Sequence, residues 1–152
     1  MCIRKATLDD ASAISALILS LAHHFLSQDD GSGAEGFLRS LEPEGIARNI
    51  AAPELDYYVG TAGGQLMGVV AVRNGIHLFH LFVGQPFQRG GVASALWSHV
   101  KEVYEWPSAL VPTTVNSTLF AQAFYERMGF YAVGARLEKN GIAFVPMQLA
   151  QA

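Results

Sequence analysis

The sequence predicts an α/β (α+β) fold, a mixed and mostly antiparallel central sheet of about seven strands with helices on both faces. Three observations predict it. Ile14, Leu17, Ile18 and Leu21 recur at helical spacing. The apolar runs 56–61, 65–72 and 76–83 are parted by Ala62-Gly63-Gly64 and by Asn74-Gly75, the second a strong two-residue hairpin signal. The predicted elements then follow the order strand, two helices, three strands, helix, strand, helix, two strands, which needs helices on both sides of one sheet.

Residues 2–6 read as a short strand. Thr7 offers a hydroxyl cap, Asp9 and Asp10 place negative charge in a first turn, and a first amphipathic helix follows over 8–25. The polar, glycine-rich stretch 27–36 reads as a loop. Pro43 stands at the entrance of a second helix over 44–51. Strands 56–61 and 65–72 follow, and Asn74-Gly75 returns strand 76–83 antiparallel to its predecessor. The turn 84–91 leads into a helix over 92–105, stopped by Pro107. A strand over 111–115 comes next, in which Pro112 is tolerable at an edge. A helix over 117–128 ends at Gly129, and 130–136 with 142–149 form a last hairpin turning near Asn140-Gly141.

A length of 152 residues fits one domain over 1–152, long enough to bury a core without disulfides or metals. Half the residues are apolar, so the chain is globular, and that balance favours an apolar patch pairing with a second copy, a homodimer. The net charge of −3 and the lack of a long basic run argue against a nucleic-acid partner. The single cysteine, Cys2, excludes an intramolecular disulfide and fits a reducing cytoplasm. Asp9 and Asp10 precede any apolar segment, and the apolar stretch 11–22 is too short to span a bilayer. No signal peptide and no membrane association are therefore expected, and the protein is expected to be cytoplasmic.

Strand 76–83 runs into Pro86-Phe87-Gln88-Arg89-Gly90-Gly91-Val92-Ala93 and then a helix. A helix N-terminus carries unpaired N–H groups and about half a positive charge, which makes it a phosphate site. Gly90 and Gly91 let the backbone approach a pyrophosphate closely, Ala93 keeps the first turn small, and Arg89 adds a charge-assisted donor. Taken alone, the same residues also fit an ordinary tight turn before a packed helix.

Downstream, Asn116 stands at a strand end and the block Phe124-Tyr125-Glu126-Arg127-Met128-Gly129-Phe130 closes a helix. Together with the opening Ile3-Arg4-Lys5-Ala6-Thr7-Leu8-Asp9-Asp10 and the turn Gln88-x-x-Gly91-x-Ala93, these residues resemble the GNAT superfamily of N-acetyltransferases over nearly the whole chain. The resemblance implies direct transfer of an acetyl group from acetyl-CoA, as co-substrate, to a primary amine of a small molecule or peptide. It implies that the amides of Gln88, Arg89, Gly90, Gly91, Val92 and Ala93 hold the pyrophosphate of CoA. The pantetheine arm would lie between two splayed strands, aligned by main-chain groups of Phe82 and Val83 and seated by Asn116. Donors near Val83 would stabilise the oxyanion. Tyr125 would protonate the departing thiolate.

The acceptor's proton needs a base, and His77 and His80 titrate near neutrality. The resemblance puts a carboxylate or histidine of this task six residues before Val83, at His77. Strand alternation places His77 and His80 on opposite faces, with His80 serving instead if a bulge turns it. Opposed faces also argue against a shared metal. The run Gly31-Ser32-Gly33-Ala34-Glu35-Gly36 spells a dinucleotide fingerprint but lacks the strand that must precede it, and it reads better as a loop beside the acceptor site. His23 and His24 could line that site, although exposure at a helix end is the simpler account. Cys2 lies too far from the motifs to act as a nucleophile. The rival function is a non-catalytic acyl-CoA-binding sensor or scaffold module.

Overall fold

The computed structural model describes residues 1–151. The chain forms β1 (Cys2–Lys5), α1 (Ala11–Ser20), α2 (Glu35–Ser40), α3 (Pro43–Ala51), β2 (Leu55–Ala62), β3 (Gln65–Arg73), β4 (His77–Val83), α4 (Val92–Val103), β5 (Thr114–Ser117), α5 (Gln122–Arg127), β6 (Phe130–Ala132), β7 (Leu137–Lys139) and β8 (Ile142–Leu149). The strands make one mixed sheet in the order β1-β2-β3-β4-β5-β8-β6, with β7 also on β8. Every pairing is antiparallel except β4 with β5. Asn74 and Gly75 both take positive φ, as a tight hairpin connection requires.

Each face of the sheet carries its own apolar layer. On one, Ile14 and Ile18 of α1 and Ile46 of α3 cover Val59, Val69 and Ala71. On the other, Leu96, Trp97 and Val100 of α4 and Tyr125 of α5 cover Val70, Val72 and Leu78. A fully buried side chain of this size contributes about 1.5–3 kcal/mol. An exposed ion pair such as Lys5–Asp56 contributes at most ~1 kcal/mol. The two layers, and not the surface charges, hold the strands in place.

Several expected boundaries move, each for a tertiary reason. The helix over 8–25 is a 3-10 turn, then α1, then a second 3-10 turn over Ala22–His24. The chain leaves α1 early because residues 25–27 are drawn to the start of β8: Ala143 N–H donates to Phe25 O at 3.0 Å and Ser27 N–H to Gly141 O at 2.8 Å. The loop over 27–36 gives way to α2. The strand over 111–115 sits later, at Thr114–Ser117, so Pro112 precedes it. The helix over 117–128 shrinks to α5, since Ser117 belongs to β5 and Thr118 Oγ1 accepts the Ala121 N–H at 3.0 Å.

The last hairpin is interrupted. β6 and β7 pair with successive parts of β8, and the break falls opposite Pro146. Val133 N–H still donates to Pro146 O at 2.9 Å, but Pro146 has no N–H to return.

Candidate active site

β4 and β5 bond through only two residue pairs, His77 with Thr114 and Leu78 with Val115. Beyond them the strands part, and a cavity of about 530 Å³ fills the wedge. Residues 78–83 of β4 form one wall and Val115 and Asn116 of β5 the other, with Tyr125 and Arg127 of α5 closing over them. The β4 edge facing the wedge has no partner strand there, so its main-chain donors and acceptors are available to an extended ligand.

The wedge opens onto the turn before α4. Gln88 Nε2 donates to Val83 O at 3.0 Å and ties the turn back to the end of β4. Arg89 at φ +64° and Gly91 at φ +84° are left-handed, which brings successive amides to one side. The first helical amide bonded back into α4 is that of Ala95, on Gly91 O at 3.0 Å. Those of Val92, Ala93 and Ser94 precede it and have no acceptor inside the helix. A Cβ on Gly91 would meet nothing within 4 Å, and one on Gly90 would meet only Phe87 O at 3.5 Å. Gln88, Arg89, Gly91, Val92 and Ala93 all line the cavity, and Gly90 lies between them. Free amides, a helix dipole and the Arg89 guanidinium give this turn the character of an anion site, and Arg127 lines the same cavity.

Tyr125 is buried at 5 % exposure, its ring edge-on to Phe124 and Phe130 at 5.4 and 5.5 Å. Burial pushes its phenol well above the usual range, so the hydroxyl stays protonated. Asn116 is exposed on β5, and Phe82 and Val83 lie in the cavity wall.

The histidines depart from expectation. Arg73 pairs with His77 and Ala71 with His80, because a bulge gives Phe79 no partner on β3. Arg73 and Ala71 are two residues apart, so His77 and His80 share a face. His77 lies at the vertex of the wedge, outside the cavity lining, with Nδ1 2.7 Å from Thr114 Oγ1. Burial, with Arg73 nearby, lowers its pKa to about 4. His80 lines the cavity, and burial lowers its pKa to about 3.

The Tyr57 hydroxyl lies 3.0 Å from His80 Nδ1 and accepts from Asn49 Nδ2 at 3.1 Å. In the tautomer where the phenol donates to Nδ1, that ring lone pair is taken. The ring hydrogen of His80 then sits on Nε2.

Sequence reasoning missed Phe120 and preferred exposure for His24. His24 does not simply sit in solvent: it lines the cavity, and its ring stacks on Phe120 at 3.8 Å and 15°. Burial, with His23 beside it, lowers its pKa. No spacing rule pairs residues 24 and 120. The run 31–36 lies elsewhere, against the Asn140-Gly141 turn, where a Cβ on Gly141 would run into the backbone of Gly33 and Ala34. Among the described residues no group of three or more His, Cys, Asp or Glu side chains is placed to hold a metal, and no helix is long and apolar enough to cross a membrane.

The model of the Acetyltransferase (GNAT) domain matches residues 25–151. No curated protein sequence matches the chain significantly. Among solved structures, a GCN5-related N-acetyltransferase from Rhodopseudomonas palustris superposes with a TM-score of 0.79 at 17 % identity, covering 99 % of this chain and 95 % of that one. The PaiA N-acetyltransferase of Thermoplasma acidophilum, solved with coenzyme A, gives 0.71 at 12 % identity, covering 98 % of each chain. An aminoglycoside 6'-N-acetyltransferase complexed with coenzyme A gives 0.68 at 12 % identity, covering 97 % of this chain and 96 % of that one.

Proposed function

The chain belongs to the GNAT acetyltransferase family, and from that premise we propose that it moves an acetyl group from acetyl-CoA directly to a primary amine of a small molecule or peptide. One observation carries the proposal. The wedge between β4 and β5 runs without interruption from the free amides at the start of α4 to the buried phenol of Tyr125.

In this reading the amides from Gln88 to Ala93 hold the diphosphate, with Arg89 and Arg127 neutralising it from the sides. The pantetheine arm lies along β4 as an added strand, between Phe82 and Val83 on one side and Asn116 on the other. The amine nitrogen attacks the thioester carbonyl, and main-chain donors of β4 near Val83 hold the resulting oxyanion. The C–S bond then breaks and the sulfur takes the proton of Tyr125, which solvent later replaces. The apolar surroundings that keep Tyr125 protonated also raise the basicity of a thiolate there, so the transfer is not as uphill as in water.

The ammonium proton leaves to water at the cavity mouth. His77 lies outside the lining, and His80 is buried and neutral with its Nδ1 engaged by the Tyr57 hydroxyl.

The test pairs calorimetry of acetyl-CoA binding with thiol release from acetyl-CoA against varied amines and pH. Binding and turnover are expected, with kcat/KM rising with pH as the free amine fraction grows and showing no inflection near pH 6.5. Binding without turnover on any amine would favour the sensor module. Turnover that falls in His80→Gln and recovers at high pH, where more of the amine is already free, would make His80 the base.

A further inference from the structure

The cavity has a second end, opposite in character to the anion site. Leu21 closes it from the end of α1, and the stacked pair His24 and Phe120 spans it. The two rings come from opposite faces of the sheet. Residues around His24 pack with the α1–α3 layer, and those after Phe120 pack with α4 and α5. The stack therefore bridges the mouth of the wedge. It is fixed on one side because Phe25 and Ser27 are bonded to Ala143 and Gly141 of the β7–β8 hairpin. Phe120 keeps 59 % of its surface exposed although it sits against the cavity, so an apolar face is left for something to cover.

The charge of the lining is equally one-sided. No aspartate or glutamate is among the lining residues, and its fixed charges are the guanidinium groups of Arg89 and Arg127. A polycationic amine entering here would shed water from each ammonium group and find no carboxylate to replace it. An amine that carries one nitrogen and loses its proton to react meets no such penalty. A flat apolar body on that amine would lie against rings already arranged for stacking.

Resting on the acetyl-transfer reading, we propose that the acceptor is a primary monoamine with a flat aromatic body, held by Leu21, His24 and Phe120, and that polycationic amines are excluded.

Thiol release by the full chain at saturating acetyl-CoA is measured with 2-phenylethylamine, spermidine and kanamycin, alongside acetyl-CoA binding by calorimetry. The expected result is a kcat/KM for 2-phenylethylamine at least ~10-fold above either polycation, the usual size of one apolar contact. Phe120→Ala should raise the KM for 2-phenylethylamine ~10-fold with acetyl-CoA affinity and melting temperature retained, since the ring is largely exposed. A protein that binds acetyl-CoA and prefers spermidine or kanamycin overturns the acceptor class and leaves acetyl transfer standing. So does unchanged amine preference in Phe120→Ala. Acetyl-CoA binding with no turnover on the aromatic amine also counts against the class, and failure to bind acetyl-CoA overturns both readings.

Discussion

At the scale of single residues, Tyr125 offers the most direct test. Its ring is packed between Phe124 and Phe130 whatever the hydroxyl does, so Tyr125→Phe removes a proton donor without opening a hole. Turnover should fall ~10²-fold, the low end for general acid catalysis, while coenzyme A affinity stays nearly unchanged. Steady-state thiol release with parallel calorimetry reads both numbers, and undiminished turnover would take Tyr125 out of the reaction. Tyr125 and the turn residues were legible because their local sequence carries the signal. The faces of His77 and His80 were not, since the bulge at Phe79 arises from pairing with β3 and shifts every later β4 residue. For His24 the sequence left lining and exposure both open, for a related reason: what makes it a wall residue is Phe120, ninety-six positions away in the chain.

At the scale of elements, the turn before α4 has a shape that only its backbone explains. Gly91 at φ +84° is the residue from which α4 starts, and nothing stands within 4 Å of where its Cβ would be. A side chain there is strained by about 1–2 kcal/mol but not blocked. Gly91→Ala should therefore fold and keep much of its affinity for coenzyme A. Gly91→Glu, equally strained, would set a carboxylate among the amides and should abolish binding. Calorimetry on both variants separates strain from charge, and equal affinities would remove the diphosphate from this turn. The start of α4 could be read from Gly90-Gly91 alone. The short α2, the shortened α5 and the broken strand opposite Pro146 could not, because each is decided by what an adjacent element accepts.

For the whole molecule, the two imidazoles on β4 link folding to pH. Their folded-state values, about 4 for His77 and about 3 for His80, lie below the unfolded value near 6.5. Between those limits the unfolded chain binds more protons than the folded one, so stability rises with pH, is complete above about 6.5, and is lost on acidification. At pH 5 a fully buried histidine of this kind costs about 2 kcal/mol relative to pH 7, and His77, less buried, costs less. For a chain of this length that is a fall in melting temperature of about 4–8 °C for His80 alone. Asp10, held low by Arg4, acts in the same sense, because the unfolded chain again binds the extra proton, but only in and below the ordinary carboxylate range, so it does not produce the slope between pH 7 and 5. His80→Gln, which cannot charge, should melt with a shallower pH slope between 7 and 5 than the parent. Parallel slopes would mean that His80 is not buried neutral. The same strand forms a wall of the wedge, so protonating His80 disrupts the coenzyme site and the fold together. In the folded chain His80 is still neutral at pH 5, so that disruption waits for lower pH, and coenzyme A should raise the melting temperature about as much at pH 5 as at pH 7 through any effect of His80.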